Sequence, residues 1–214
     1  MLDKLLKLVN DKYELVEVST DDYSNLKASG MKFEIKAYDA KGLGRVSIMK
    51  AKGFFGLMKM DTLMITPTEK DLPLLSYDRI NAMGNDTLII ELYDTLIGKC
   101  DLSPLNNVKD NYKNFADHHL GSHWYDSIKF NESISKKGKK KELELYNELT
   151  LKYFNEYLNL SCDEITNKEE KNNKSKNYVN GLLTNGGPST SVFQKSIGME
   201  KTDSLFKEIL FGTK

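Results

Sequence analysis

The stretch Gly56 to Cys100, GLMKMDTLMITPTEKDLPLLSYDRINAMGNDTLIIELYDTLIGKC, constrains this chain more than any other part of it. Apolar, β-favouring runs are separated by turn-like breaks at Pro67 and at Gly84-Asn85-Asp86, and each run carries an acidic residue: Asp61, Asp78 and Glu91. A carboxylate inside a strand is costly to bury unless it is paired, hydrogen-bonded or protonated. A small sheet that repeats this arrangement must expose the groups, pair them or use them.

The rest of the first half has the same period. Met31 to Asp39 alternates, with Met31, Phe33, Ile35 and Ala37 on one side and Lys32, Glu34, Lys36 and Tyr38 on the other. Arg45 to Lys52 is a second strand after a glycine turn at Gly42 and Gly44. Leu57 to Thr66, Leu74 to Ile80 and Thr87 to Tyr93 continue the series, and Tyr13 to Val18 is a possible edge strand. Short turns between successive strands predict an antiparallel meander, because parallel pairing needs longer crossovers. The N-terminal MLDKLLKLVNDKYELVEV reads as a short amphipathic helix covering that sheet.

The second half changes to a three-four spacing. Leu143, Tyr146, Leu149, Tyr153, Phe154, Tyr157 and Leu158 mark a long helix within Lys141 to Leu160. Cys162 to Lys176 is polar and reads as a loop with a ragged helix start. Tyr178 to Leu183, Val192 to Ile197 and Leu205 to Leu210 are shorter helical faces, broken at Asn185-Gly186-Gly187-Pro188 and at Gly198. Strands first and helices later predict an α+β fold in one domain spanning residues 1–214.

Composition narrows the function classes. With 31 basic and 31 acidic residues in 214, the formal charge is zero, so nucleic acid is not an expected partner. No apolar run reaches the roughly 20 residues that span a bilayer, so no membrane is expected either. Cys100 and Cys162 have no metal-ligand spacing and offer no disulfide framework, which predicts reduced thiols and a cytoplasmic setting.

Each candidate site residue has a structural alternative. Asp78 could be a buried acid, or it could cap a turn or pair with Arg79 or a lysine. Glu91 could assist it, or be a paired structural carboxylate. Asp61 is read as solvent-facing. His118, His119 and His123 cluster beside Asp117, but their spacing matches no recognised metal pattern, so no metal site is assigned. Gly186 to Ser191 lacks the lysine and preceding strand of a phosphate loop. Ser189 there could cap a helix or meet a ligand carboxylate. Lys136 to Lys141 is a dense basic run before the long helix, either a solvated loop or a docking patch for an acidic protein.

The element order, the segments DLPLLSYDRI and TLIIELYD, the SHWYDSIKF corner and the C-terminal YVNGLLTNGGPST…SIGMEKTDSLFKEILF resemble the ferredoxin-dependent bilin reductases and the related red chlorophyll catabolite reductases. The resemblance implies a three-layer α/β/α sandwich whose central antiparallel β-sheet is flanked by helices, with a linear tetrapyrrole between the sheet and the C-terminal helices. It implies reduction by radical steps, with reduced ferredoxin as external electron donor and no bound metal or flavin. Pro73 to Asp78 fits that superfamily's "proline, apolar, phenylalanine-glycine, x, aspartate" run, which places Asp78 on the proton-donating aspartate. Glu91 stands at the acidic position of the following strand.

Two departures accompany the resemblance. Thr62 stands where one subgroup has a histidine, and Asn185-Gly186 stands where the family has an asparagine–aspartate pair. Thr62, His123, Asn185 and Ser189 are then candidate substrate contacts, and Lys136–Lys141 the candidate ferredoxin contact. The departures favour a rival reading, a tetrapyrrole-binding or carrier protein of the same fold that does not catalyse.

Overall fold

The computed structural model describes residues 1–119, 121–187 and 189–214, so Pro188 in the glycine-rich break lies outside the described residues, as does the side chain of Lys140 in the basic run. The first half forms a sheet of strands β1 (Leu15–Val18), β2 (Lys27–Ala28), β3 (Met31–Ala40), β4 (Gly44–Gly53), β5 (Met58–Pro67), β6 (Leu74–Ala82) and β7 (Asn85–Tyr93), to which β8 (Ile134–Lys139) is added. The order is β1-β3-β4-β5-β6-β7-β8, with β2 also on β3, and every pairing is antiparallel. The predicted meander is therefore present. Helices α1 (Leu2–Asn10), α2 (Ser103–Asp110), α3 (Leu143–Leu158), α4 (Lys168–Asn185), α5 (Thr190–Ile197) and α6 (Met199–Ser204) surround it, and α6 runs on into a π-helical turn, Leu205–Leu210.

Strand periodicity divides the interior into two cores, because successive side chains point to opposite faces. On one face, Val46, Ile48, Leu63, Ile65, Leu75, Tyr77, Leu88, Ile90 and Leu92 pack against Leu2, Leu5 and Val9 of α1, Leu105 of α2, and the aromatic stripe Tyr146, Tyr153, Phe154 and Tyr157 of α3. The stripe's hydroxyls are used: Tyr157 donates to Pro73 O at 2.8 Å and Tyr153 to Glu132 O at 3.0 Å. On the other face, Phe33, Ile35, Met49, Met64, Leu74 and Tyr93 meet α4, α5 and the C-terminal turn through Tyr178, Val179, Leu182, Phe193, Phe206, Leu210 and Phe211. The result is the α/β/α sandwich.

Several expectations are corrected. The basic run does not precede the long helix as a loop. Residues up to Lys139 are β8, paired with β7 through Asn85↔Lys139 to Ile90↔Ile134. Lys136 is buried, with its ammonium 2.6 Å from Asp117 and 3.1 Å from Phe115 O, so it is not part of an exposed patch. The polar segment expected to be a loop with a ragged helix start is regular α4 from Lys168 onward. Asn167 caps it by accepting from Glu170 N–H at 3.1 Å, and Lys171 anchors it. Lys171 is fully buried, its ammonium 3.0 Å from the fully buried Asp71 and bonded to Leu72 O and Thr95 O at 2.6 and 2.9 Å. Asp71 in turn accepts from Ile97 and Gly98 N–H. This paired charge supplies the attachment that an apolar stripe supplies elsewhere.

The cysteines are also corrected. Cys100 and Cys162 are joined in a disulfide across a sequence separation of 62. The segments around them run antiparallel there, with Asp101 N–H donating to Ser161 O and Asp163 N–H to Lys99 O. Spacing along the chain holds no trace of such a long-range contact.

Candidate functional site

Between the sheet and α4, α5 and the C-terminal turn lies a cavity of about 370 Å³, within the range of small-molecule sites. The central strands build its floor through one parity of their residues. β5 contributes Met58, Met60, Thr62 and Met64, β6 contributes Ser76, Asp78 and Ile80, and β7 contributes Ile89, Glu91 and Tyr93. Met31, Phe33 and Met49 extend the floor across β3 and β4. Tyr178, Leu182, Ser189, Thr190, Phe193, Phe206 and Phe211 form the roof, and His123 and Tyr125 a side wall. Five of the chain's eight methionines face this space. Their unbranched, polarizable side chains suit a wall that must adapt to a large ligand.

Asp78 sits at the middle of the floor, opposite Thr62 on β5 and Ile89 on β7. Protein encloses its carboxyl except where it meets the void. Burial pushes its pKa up from the ordinary 3.8 to about 6, the nearby Glu91 charge adds to the rise, and hydrogen bonds from Thr62 and Ser76 oppose it. Thr62 Oγ1 donates to Asp78 Oδ1 at 2.5 Å. An acid titrating there holds its proton on an appreciable fraction of molecules near neutrality, as general acid catalysis requires.

Glu91 is buried in the adjoining strand, across from Ser76. Tyr93 Oη donates to Glu91 Oε2 at 2.6 Å, and Lys129 Nζ lies 3.3 Å from Oε1. The Tyr93 ring also packs on Tyr178, centroids 4.4 Å apart, and burial raises the pKa of both phenols well above the ordinary value. Glu91 is at the same time a wall of a second, polar cleft lined by His118, His119, Lys129, Ser133 and Ser135. The three histidines are therefore divided, with His118 and His119 at that cleft and His123 at the cavity.

The other sequence-derived candidates fall into place unevenly. Thr62, His123 and Ser189 line the cavity. The His123 ring stacks on Tyr125 with centroids 4.9 Å apart and planes 4° apart. Asn185 does not line it: α4 continues through this residue, which is exposed on the last turn. Arg79 does not partner Asp78. It points to the opposite face, where it forms a buried bidentate pair with Asp86 and lies 4.9 Å over the Tyr146 ring. Asp61 is half-buried on that same far face. Two buried atoms at the cavity wall, His123 Nδ1 and Thr190 Oγ1, have no hydrogen-bond partner among the described residues. Such orphaned groups are costly without a ligand or water to meet them.

With one exception, nothing in the sequence alone marks the methionine row, Tyr93, Tyr178, Tyr125, Lys129 or Thr190 as site residues. The exception is that Met58, Met60 and Met64 share the parity of Thr62, an unusual run of flexible side chains on one strand face.

Fold and site together define an antiparallel sheet with a carboxyl-bearing apolar cavity beneath C-terminal helices. Among solved structures, phytochromobilin synthase from tomato, crystallised in complex with biliverdin, has a similar fold. The two superpose with a TM-score of 0.74 over 99% of this chain and 82% of the tomato chain, at 13% sequence identity. No family model and no curated protein sequence matches the chain. No described helix is long and apolar enough to cross a membrane.

Proposed function

We propose that the cavity binds a linear tetrapyrrole and that the protein reduces it, taking electrons one at a time from reduced ferredoxin while Asp78 supplies protons. Each electron placed on the conjugated pigment raises its basicity, and a carboxylic acid held against its face can then protonate a carbon or nitrogen. The observation that carries this reading is Asp78, centred on the cavity floor with its pKa at about 6. Glu91 is the helper. It is held between Tyr93 and Lys129, and its charge raises the pKa of Asp78, favouring the protonated form of the acid. Thr62 orients the Asp78 carboxyl, and His123 Nδ1 and Thr190 Oγ1 are free to meet the pigment's polar edge. The chemistry requires a compartment that provides reduced ferredoxin. Of the basic run proposed as the ferredoxin contact, Lys137, Lys139 and Lys141 remain as candidates.

The rival reading is a pigment carrier, and the non-histidine residue at Thr62 favours it, since one proton donor fewer faces the cavity. The experiment is addition of biliverdin followed by chemically reduced ferredoxin. A shifted absorbance band that then bleaches or converts supports the reductase, and Asp78→Asn should retain the shift while slowing conversion at least a hundredfold. A shifted band that ferredoxin leaves unchanged identifies the carrier. An unshifted spectrum removes both readings.

A further inference from the structure

At one end of the sheet, outside the cavity, four lysines stand side by side. The register aligns Lys27 with Lys32, Lys32 with Lys52, and Lys52 with Lys59, so one row crosses β2, β3, β4 and β5. All four are exposed, and none is in an ion pair among the described residues. Like charges directly opposite each other destabilise a sheet. The next row inward on the same face, Glu34, Lys50, Asp61 and Arg79, is balanced, so the excess is confined to the outermost row.

The turns at this end add apolar tips. Phe55, in the β4–β5 turn, and Met83, in the β6–β7 turn, are 108% and 88% exposed, and Leu57 is 66% exposed. Phe55 and Met83 have φ of 55° and 50°, each followed by a glycine of positive φ. That backbone favours Asn, Asp or Gly and penalises large side chains. Two hairpins thus carry a bulky apolar residue where the backbone disfavours it and water surrounds it. Lys27, Lys32, Lys52 and Phe55 border one shallow groove, and Met31 borders both this groove and the cavity.

We infer that this end of the sheet docks on an anionic lipid surface, the lysine row meeting headgroup phosphates while Phe55, Leu57 and Met83 enter the interfacial layer. Single apolar side chains on separate turns suit a soft layer better than the face of a folded protein, and the unbalanced row supplies the matching charge. The contact needs no spanning helix. It also sets the cavity's Met31 side next to the bilayer, where a poorly soluble ligand would concentrate.

The test is co-sedimentation of the full chain with vesicles of phosphatidylcholine, alone or mixed equally with phosphatidylglycerol. Binding to the mixed vesicles only, and weakened by salt, is expected. Lys32→Gln, Lys52→Gln and Lys59→Gln together should weaken it on the order of a hundredfold. Phe55→Asn with Met83→Asn should weaken it on the order of tenfold or more while leaving thermal stability equal or higher, since Asn suits these turns. Failure to bind mixed vesicles at low salt overturns the inference, as does equal binding to neutral vesicles or binding indifferent to the asparagine pair. Capture by an immobilised acidic electron-transfer protein through the same lysines, with no vesicle binding, replaces the lipid by that partner. None of these outcomes depends on whether biliverdin binds.

Discussion

Replacing Asp78 by Asn is expected to make the protein more stable at neutral and alkaline pH, and the amount follows from the site. The folded-state pKa is raised from 3.8 to about 6. Well below pH 3.8 both folded and unfolded chains hold the proton, and burial of the neutral acid carries no electrostatic penalty. As pH rises from 3.8 to 6, the unfolded chain ionises while the folded chain keeps its proton, so stability is lost progressively. Above 6 the loss is constant. About two pK units at roughly 1.4 kcal/mol each set a ceiling of about 3 kcal/mol. Water in the cavity lowers this to about 1–2 kcal/mol. Asn keeps an acceptor for Thr62 and never ionises, so it escapes the penalty. Urea denaturation at pH 8 should show the variant more stable by that amount, and at pH 4.5 by about a third of it. A variant no more stable than wild type at pH 8, or a gap equal at both pH values, refutes the account of Asp78 as a desolvated acid.

Other perturbations have equally definite outcomes. Thr62→Val removes a hydrogen bond that favours the ionised form, so the Asp78 pKa should move above about 6, as followed by NMR titration of the carboxyl carbon. Lys171→Met leaves the fully buried Asp71 uncompensated and should cost about 3–5 kcal/mol in urea denaturation. At Gly181 an added Cβ would lie 2.2 Å from the Trp124 ring. Gly181→Ala should therefore displace the indole from its 2.8 Å bond to Gly186 O, shift the fluorescence of the chain's one tryptophan and cost about 1–3 kcal/mol.

Much of the fold could be read in advance because strand alternation is a strong signal where one face is buried. Alternation marks β3, β5, β6 and β7 to within a few residues, and the amphipathic stripe marks α3. β8 escaped because ISKKGK looks like solvated loop. Its burial comes from hydrogen bonding to β7 and from Asp117 accepting the Lys136 ammonium, neither of which is local. The first half of α4 escaped because a buried ion pair, Lys171 with Asp71, takes the place of an apolar residue. At the site, Asp78 and Glu91 were visible because a carboxylate within a strand is conspicuous. Tyr93, Tyr178 and the methionines were not, because core residues and cavity walls draw on the same residue types. What distinguishes them is whether the opposing layer fills the space, and that depends on how α4, α5 and the C-terminal turn are held off the sheet.

The same period-two geometry separates stability from chemistry at adjacent positions. Tyr77 and Asp78 are neighbours on β6, yet Tyr77 is fully buried against α3, edge-on to Phe154 with centroids 5.8 Å apart, while Asp78 faces the void. Tyr77→Ala should leave a cavity in a filled core and cost about 3–5 kcal/mol. Asp78→Ala removes a group from a space that is already hollow and should cost little or stabilise at pH 8. Thermal denaturation of the two variants, with pigment binding measured on each, tests the separation. A comparable loss of stability from both would mean that the cavity floor is part of the packed core. The alternative outcome leaves the site mounted on the aromatic layer beneath it, free to vary Thr62, Asp78 and Glu91 at little cost to the fold.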